Sequence, residues 1–209
     1  MAWRIIACLV MGYLFGNLNG AILVSRIFEH EDVRKKGSGN AGLTNFLRNY
    51  GGWQTALVVV IDLGKMVAAC LLATLIYPED TDLAKMMTGA AVQIGHIFPV
   101  FFGFHGGKGI LCSAALALLM DWRIFVIAVP VFLVIFFATR IVSLGSILAT
   151  MTYGALFVIF FTEKPWVWGI ALFMCALVIF MHRQNIVRLI HGEEKKIVFH
   201  KSKKEEQKS

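Results

Sequence analysis

Long apolar segments with few charged residues follow one another along most of the sequence. A helix needs roughly 20 apolar residues to cross the hydrocarbon core of a membrane, and a shorter one crosses only part of it. Of the 209 residues, 58% are hydrophobic and 16% are charged, which is more apolar than a soluble domain. The sequence therefore predicts an all-α integral membrane protein with seven transmembrane helices, near residues 4–26, 53–77, 84–103, 109–120, 123–139, 143–161 and 165–182. The fourth segment is so short that we expect it to span only about half of the membrane.

The distribution of Lys and Arg predicts the orientation of these helices, because cytoplasmic loops carry an excess of both residues. Alternate connections and the C-terminal segment hold most of the cations, among them Arg34, Lys35, Lys36, Arg48, Lys108, Arg140, Arg183 and Arg188. This places the N-terminus outside and the C-terminus in the cytoplasm. Orientation accounts for the net charge of +7, so no nucleic-acid partner is expected. Residues 1–192 are predicted to form one membrane domain, and residues 193–209 a charged, disordered cytoplasmic tail.

A glycine-rich connection at residues 95–109, GHIFPVFFGFHGGKG, predicts an anion site. Gly106, Gly107 and Gly109 allow the backbone to approach a ligand closely, and Lys108 adds a full positive charge. A helix that begins after them would present free N–H groups and the positive end of its dipole. The alternative is a flexible hairpin whose lysine extends to the lipid headgroups. The loop does not match the Walker A motif, in which Ser or Thr follows the lysine.

A second polar connection contains Gly37-Ser38-Gly39-Asn40-Ala41-Gly42-Leu43-Thr44-Asn45, with Arg48 one helical turn after Thr44. It formally matches the dinucleotide motif G-x-G-x-x-G, but that motif requires a strand before it, and the flanks here are charged residues and membrane helices. A backbone nest for an anion is the better interpretation, with hydroxyl and amide groups as ligands. The alternative is a polar turn between two helices.

Four further polar residues are candidates for the same site. His96 precedes the glycines and lysine of residues 106–109, called the glycine-lysine loop below, and either binds substrate or only bonds to a neighbouring helix. Ser143 begins the sixth predicted helix, as a phosphate ligand or a helix cap. His182 and Asn185 are three residues apart on one helical face at the end of the seventh, where the alternative is an interfacial helix end.

The second predicted helix carries Asp62 and Lys65 in otherwise apolar sequence, which we interpret as a paired structural brace. The sequence contains no cluster of carboxylates suited to Mg²⁺ and no H-E-x-x-H motif, so neither a metal nor a cofactor is expected. A site of Ser, Asn, His, Lys and Arg binds anions and can stabilise a developing oxyanion.

Four motifs together resemble one family. The chain contains, in this order, GSGNAGLTN followed by Arg48, GHIFPVFFGFHGGKG, VSLGS, and HRQNIVRL followed by GEE. In order and spacing these motifs are similar to those of the bacterial acyl-phosphate:glycerol-3-phosphate acyltransferases of the PlsY type. The resemblance covers nearly the whole chain, up to about Glu194. The departures, GILC after the glycine-lysine loop and Thr139-Arg140-Ile141, touch no candidate site residue.

The resemblance implies transfer of a fatty acyl group from acyl phosphate to the 1-hydroxyl of glycerol 3-phosphate, which yields lysophosphatidic acid and phosphate. It implies a multi-pass protein of the bacterial inner membrane with an active site facing the cytoplasm, and we expect a monomer. The expected catalytic residues are Ser38, Arg48, Lys108, His182 and Asn185. The expected substrate-binding residues are Gly37, Gly39, Asn40, Thr44, Asn45, His96, Gly106, Gly107, Gly109 and Ser143.

Two questions stay open on the sequence. Ser38 could be an acylated nucleophile, or the acyl group could pass directly while a substrate phosphate takes the hydroxyl proton. The alternative function is a small membrane transporter for phosphate or an organophosphate, which a half-helix directed at an anion would suit.

Overall fold

The protein, seen in a computed structural model that describes residues 2–197, is built from helices packed side by side. Among these residues there are no strands. The α-helices are α1 Ala2–Gly16, α2 Gly20–Phe28, α3 Leu43–Asn49, α4 Gln54–Ile76, α5 Thr81–Ile97, α6 Ile110–Met120, α7 Trp122–Thr139, α8 Val142–Phe160, α9 Pro165–Met181 and α10 Arg183–Ile190. Short 3-10 helices lie at Val33–Lys35, Pro78–Asp80 and Val100–Phe102. The all-α prediction is confirmed.

Within the described part of the chain, four segments are long and apolar enough to cross a membrane: Ala2–Phe28, Gln54–Ile76, Trp122–Thr139 and Val142–Phe160. A fifth is obtained if α9 and α10 count as one span, although they are bent by 57° with respect to each other. Helix α6 has 11 residues, as short as the sequence predicts. Helix α5 has 17 residues because it ends at Ile97, before the turn that contains Pro99. The count of seven spans and the orientation of the termini stay predictions.

The first predicted helix, 4–26, lies within the candidate span Ala2–Phe28, but it is interrupted, which the sequence did not predict. Helix α1 ends at Gly16, and α2 begins at Gly20 with Asn19 as its N-cap, the Asn19 side chain accepting from the Ile22 N–H at 3.1 Å. The Lys65 ammonium donates to the Gly16 and Leu18 carbonyls at 3.3 and 2.9 Å, and so satisfies backbone oxygens that the break leaves without helical partners. A charged side chain from another helix therefore stabilises the interruption.

The charged pair in α4 is buried and paired, as the sequence predicts. Lys65 Nζ lies 2.8 Å from Asp62 Oδ1, and the two side chains are 1% and 2% exposed. Asp62 also accepts from the Gly20 N–H at 3.1 Å, and Lys65 Nζ lies 2.7 Å from His96 Nδ1. The pair thus joins α4 to the start of α2 and to the end of α5.

Helices α1 and α5 approach each other very closely. A Cβ atom on Gly16 would lie 2.3 Å from the Val92 carbonyl oxygen, and one on Gly95 would lie 2.3 Å from the Tyr13 carbonyl oxygen. Only glycine fits at these two contacts, and small residues at such interfaces let membrane helices pack backbone to backbone. Because α5 leads directly into the glycine-lysine loop, this packing fixes one end of that loop.

Candidate active site

The loop between α5 and α6, residues 98–109, requires glycine where it turns. A Cβ atom on Gly106 would lie 1.9 Å from the His96 carbonyl oxygen, and one on Gly107 would lie 2.1 Å from His96 Nε2. Gly109 has φ +87° and is the N-cap of α6, with no side chain to bond the first amides of that helix. The loop therefore folds back on the end of α5 and presents the N-terminus of α6, where backbone N–H groups and the helix dipole favour an anion.

Lys108 extends from this loop to α10, where its ammonium donates to the Asn185 side-chain oxygen. Burial lowers the pKa of Lys108 to about 8, and the nearby Arg188 and Arg48 act in the same direction while Glu194 opposes them. A partly buried ammonium beside two guanidinium groups is a site of high positive potential. It is suited to a group that carries more than one negative charge.

Glu194 is the centre of the network around Lys108. Its Oε1 accepts from Ser143 Oγ at 2.8 Å and from Asn185 Nδ2 at 2.7 Å, and its Oε2 accepts from Arg188 Nε at 2.7 Å. Burial tends to raise the pKa of this carboxyl, but hydrogen bonds from Asn185, Ser143 and Arg188 outweigh it and lower the pKa. An ionised carboxylate therefore holds α8 and α10 together beside Lys108.

Arg48 and His182 complete the group. Arg48, on α3, donates to the Lys195 carbonyl at 2.8 Å and interacts electrostatically with Glu194 and Arg188. His182 lies buried at the joint between α9 and α10, with Nδ1 2.8 Å from the Val178 carbonyl oxygen. A carbonyl only accepts, so Nδ1 carries the proton and Nε2 is free to accept or, when protonated, to donate.

The loop before α3 is organised by Asn45. Its Oδ1 accepts from the Ser38 N–H at 2.9 Å, and its Nδ2 donates to the Val33 and Lys36 carbonyls, both at 3.1 Å. The amide of Asn45 is thus satisfied inside the protein and shapes the turn. Gly37 and Gly39 have φ values of +59° and +72°, which favour glycine.

This loop contacts the glycine-lysine loop through the Ala41 N–H, which lies 3.4 Å from the Gly106 carbonyl oxygen. Ser38 is exposed, and Asn40 and Thr44 are partly buried beside it. Within residues 2–197, neither the Ser38 nor the Thr44 side chain makes a hydrogen bond to the network around Lys108. The structure therefore brings Arg48, Lys108, Ser143, His182 and Asn185 together, with the Ser38 loop adjacent.

His96 lies behind the glycine-lysine loop, where its Nδ1 faces Lys65 and its Nε2 faces Gly107. Arg188 and Glu194 belong to the network, although neither was among the expected site residues. Both could have been expected from the sequence: Arg188 is three residues after Asn185 and so shares its helical face, and Glu194 belongs to the GEE motif. In residues 2–197, no group of three His, Cys, Asp or Glu side chains could hold a metal ion.

Comparison with known proteins places this chain in a family. The family model for glycerol-3-phosphate acyltransferase matches residues 6–192. The chain belongs to this family. A glycerol-3-phosphate acyltransferase of Prochlorococcus marinus (strain MIT 9215) is 36% identical over 187 residues, covering 88% of this chain and 93% of that protein. One from Syntrophomonas wolfei is 38% identical over 192 residues, covering 91% and 96%.

A solved structure shows that the fold is shared as well. The crystal structure of PlsY (YgiH), an integral membrane glycerol 3-phosphate acyltransferase, in its glycerol 3-phosphate form matches with a TM-score of 0.85 and 31% sequence identity, over 93% of this chain and 96% of that one. The lysophosphatidic acid form of PlsY matches with a TM-score of 0.81. This glycerol-3-phosphate acyltransferase is thus an enzyme with the architecture of an integral membrane protein, and the transporter alternative has no comparable support.

Proposed function

We propose that the enzyme uses acyl phosphate as its acyl donor and transfers the acyl group to the 1-hydroxyl of glycerol 3-phosphate. The products are lysophosphatidic acid and inorganic phosphate. The observation that carries the proposal is the convergence of three cations, Arg48, Lys108 and Arg188, beside the N-terminus of α6. Both proposed substrates bear phosphate, and a site with several cations and free backbone N–H groups suits two phosphorylated head groups.

The residues divide between the two substrates. The backbone N–H groups at the start of α6, together with Lys108, bind the acyl-phosphate end and stabilise negative charge on the leaving phosphate. Arg48, His182 and Asn185 orient glycerol 3-phosphate, with the Ser143 hydroxyl beside them. The Ser38 loop, including Gly37, Gly39, Asn40 and Thr44, encloses the head groups from the other side.

The transfer itself requires no metal and no covalent intermediate on the protein. The glycerol hydroxyl oxygen attacks the acyl carbonyl carbon, the bond from that carbon to the phosphate oxygen breaks, and phosphate departs with the bonding electrons. The hydroxyl proton passes to a phosphate oxygen of the substrates. Because acyl phosphate has a good leaving group, the work of the protein is to position the two substrates and stabilise charge.

The donor is tested by offering purified enzyme glycerol 3-phosphate with acyl phosphate or with an acyl thioester, and measuring lysophosphatidate and phosphate. We expect equal molar release of both products from acyl phosphate, and no lysophosphatidate from the thioester. Lysophosphatidate formation from the acyl thioester but not from acyl phosphate would contradict the donor assignment. Uptake of radiolabelled glycerol 3-phosphate into proteoliposomes without acyl phosphate would instead support transport.

A second experiment tests the direct transfer. The enzyme is incubated with acyl phosphate in the absence of glycerol 3-phosphate, and its intact mass is measured. Direct transfer predicts an unmodified chain, whereas an added acyl mass that disappears in a Ser38→Ala variant would establish an acyl-serine intermediate.

We further propose that a monomer lies in the bacterial inner membrane with seven spans, its N-terminus outside and its site facing the cytoplasm. The charge distribution supports this orientation. A cysteine introduced at Glu163 should react with a membrane-impermeant thiol reagent in spheroplasts, while one at Glu193 should react only after permeabilisation. Both positions are exposed, so the reverse pattern would invert the topology.

A further inference from the structure

Arg34 joins two loops that are far apart in sequence. It lies in the short 3-10 helix Val33–Lys35, and its Nη1 donates to the carbonyl oxygens of Phe102 at 2.6 Å and His105 at 3.0 Å. Both carbonyls belong to the loop that carries Lys108. The second lies only three residues before it, so the position of this guanidinium bears directly on the position of Lys108.

The guanidinium is itself held in place by Asp32. Asp32 Oδ1 accepts from Arg34 Nε at 2.9 Å and from the Arg34 backbone N–H at 3.0 Å, and Asp32 Oδ2 accepts from Arg34 Nη2 at 2.8 Å. Hydrogen bonds from Arg34, which outweigh the opposing effect of burial, hold the pKa of the Asp32 carboxyl well below its usual range. The carboxylate is therefore ionised at neutral pH and fixes the plane of the guanidinium.

Among the described residues, the other side chains that bond to the backbone of this loop from outside hold its beginning. The Tyr13 hydroxyl donates to the Phe98 carbonyl at 2.8 Å, and Asn17 Oδ1 accepts from the Phe101 N–H at 3.3 Å. Nearer Lys108, backbone bonds tie Gly106 to Ile97 and Ala41, and Gly107 to His96. Arg34 bonds to the segment between these two sets of contacts, residues 102–105, which includes Phe104 at φ +60°.

The bonding capacity of Arg34 argues against a role as a phosphate ligand. A guanidinium has five N–H donors, and four of its bonds go to Asp32, Phe102 and His105. Its plane is also set by the Phe102 ring, whose centroid lies 5.9 Å from the guanidinium carbon. Little remains of the group to bind a substrate.

We propose that Arg34 is a positioning residue for the acyl transfer: it fixes the carbonyls of Phe102 and His105 and thereby sets the place of Lys108. This rests on the proposed role of Lys108 in binding phosphate. A displacement of about 1 Å in a catalytic group can reduce the rate about 100-fold, so a side chain that touches no substrate can still govern the reaction.

Arg26 provides a matched control. It bonds to the same Asp32 oxygen at 2.9 Å and lies over the same Phe102 ring at 5.1 Å, but it donates to neither loop carbonyl. Arg34→Met and Arg26→Met therefore remove the same charge from nearly the same place, and only the first releases the loop. Arg34→Lys keeps the charge but cannot bond Asp32 and two carbonyls at once.

The experiment measures kcat and KM for both substrates, and the amide hydrogen exchange of residues 98–109, in the full-length protein in detergent. We expect kcat/KM to fall about 10- to 100-fold in Arg34→Met and Arg34→Lys, with faster exchange in the loop. Arg26→Met should stay within about fivefold of the wild type, because exposed ion pairs contribute little, and its loop exchange should not change.

Equal losses in Arg34→Met and Arg26→Met would show that only charge matters, and full activity in Arg34→Lys would show the same. Either result overturns the proposal, as does unchanged loop exchange in Arg34→Met. If Arg34→Met does not fold, Asp32→Asn keeps the cation but loosens it, and faster loop exchange is then the expected result and unchanged exchange the contrary one. A wild type that forms no lysophosphatidate would refute the proposed function, while the exchange measurement would still test the role of Arg34.

Discussion

Replacing Lys108 with Met tests the centre of the proposed site. Its ammonium donates to Asn185 in the free enzyme and, in the proposed reaction, to phosphate. A hydrogen bond to a charged group contributes about 1.5–3 kcal/mol, which corresponds to a reduction of kcat/KM of about 10- to 150-fold when it is lost. The assay is the initial rate of lysophosphatidate formation at limiting glycerol 3-phosphate, with a blank for spontaneous hydrolysis of acyl phosphate.

The pH profile adds a second, independent test of Lys108. Burial lowers its pKa to about 8, so the cation is present below pH 8 and is lost as the pH rises through that value. Phosphate monoesters lose their second proton near pH ~6, so the substrate does not change charge in this window. We expect the kcat/KM of the wild type to fall above about pH 8, and that of Lys108→Arg to show no such fall, since a guanidinium stays protonated.

The stability of the Lys108→Met variant provides the control for folding. Because the folded-state pKa lies below the ordinary value of 10.5, the unfolded chain binds more protons between about pH 8 and 10.5, and stability rises with pH across that range. The ammonium therefore destabilises the fold at pH 7, and its removal should not lower the melting temperature there. Activity of Lys108→Met within about threefold of the wild type, or an unchanged fall above pH 8, would refute the reasoning.

Three further predictions concern the supports of the site. Glu194→Gln weakens the charge-assisted bond to Arg188 and should reduce kcat/KM about 10-fold or more, as measured by lysophosphatidate formation. Asp62→Asn or Lys65→Met alone leaves a buried charge unpaired and should destabilise the protein by about 3–5 kcal/mol. The double variant should be less affected. Thermal unfolding in detergent measures all three variants, and additive losses in the double variant would contradict the pairing. Gly106→Ala places a Cβ 1.9 Å from a backbone oxygen and should abolish activity. Gly64→Ala, whose new Cβ has no atom of another helix within 4 Å, should retain activity in the same transfer assay.

The sequence predicts most of the helices because each apolar run is interrupted by a recognisable turn. Helices α7 and α8, expected at 123–139 and 143–161, lie at Trp122–Thr139 and Val142–Phe160. The interruption of the first helix was missed, since the local apolar content around Asn19 is unchanged and the cause, Lys65, is distant in sequence. A hydropathy pattern contains no information about hydrogen bonds from a side chain on another helix.

The candidate site, like the helices, was predicted only in part from the sequence. Lys108, Asn185 and Ser143 were expected together because each lies at a helix end predicted to face the cytoplasm. The structure joins them through hydrogen bonds, with Glu194 as the shared partner of Asn185 and Ser143. Glu194 was assigned to a charged tail, because the run Glu193–Lys196 by itself is typical of solvated sequence. Its partners lie on α8 and α10, so only the tertiary structure shows that residues 193–197 pack against the helices. The remainder of the predicted tail, residues 198–209, lies outside the described residues.

The position of Glu194 has a consequence for biogenesis. The carboxylate that joins Ser143, Asn185 and Arg188 is synthesised after every helix named above, and Ile197, whose N–H donates to the Arg140 carbonyl at 2.9 Å, comes later still. The cationic groups at the ends of these helices therefore lack this counter-ion until synthesis has passed residue 194. A chain truncated after residue 193 would contain every helix named above but would lack the Glu194 bonds that link α8 to α10.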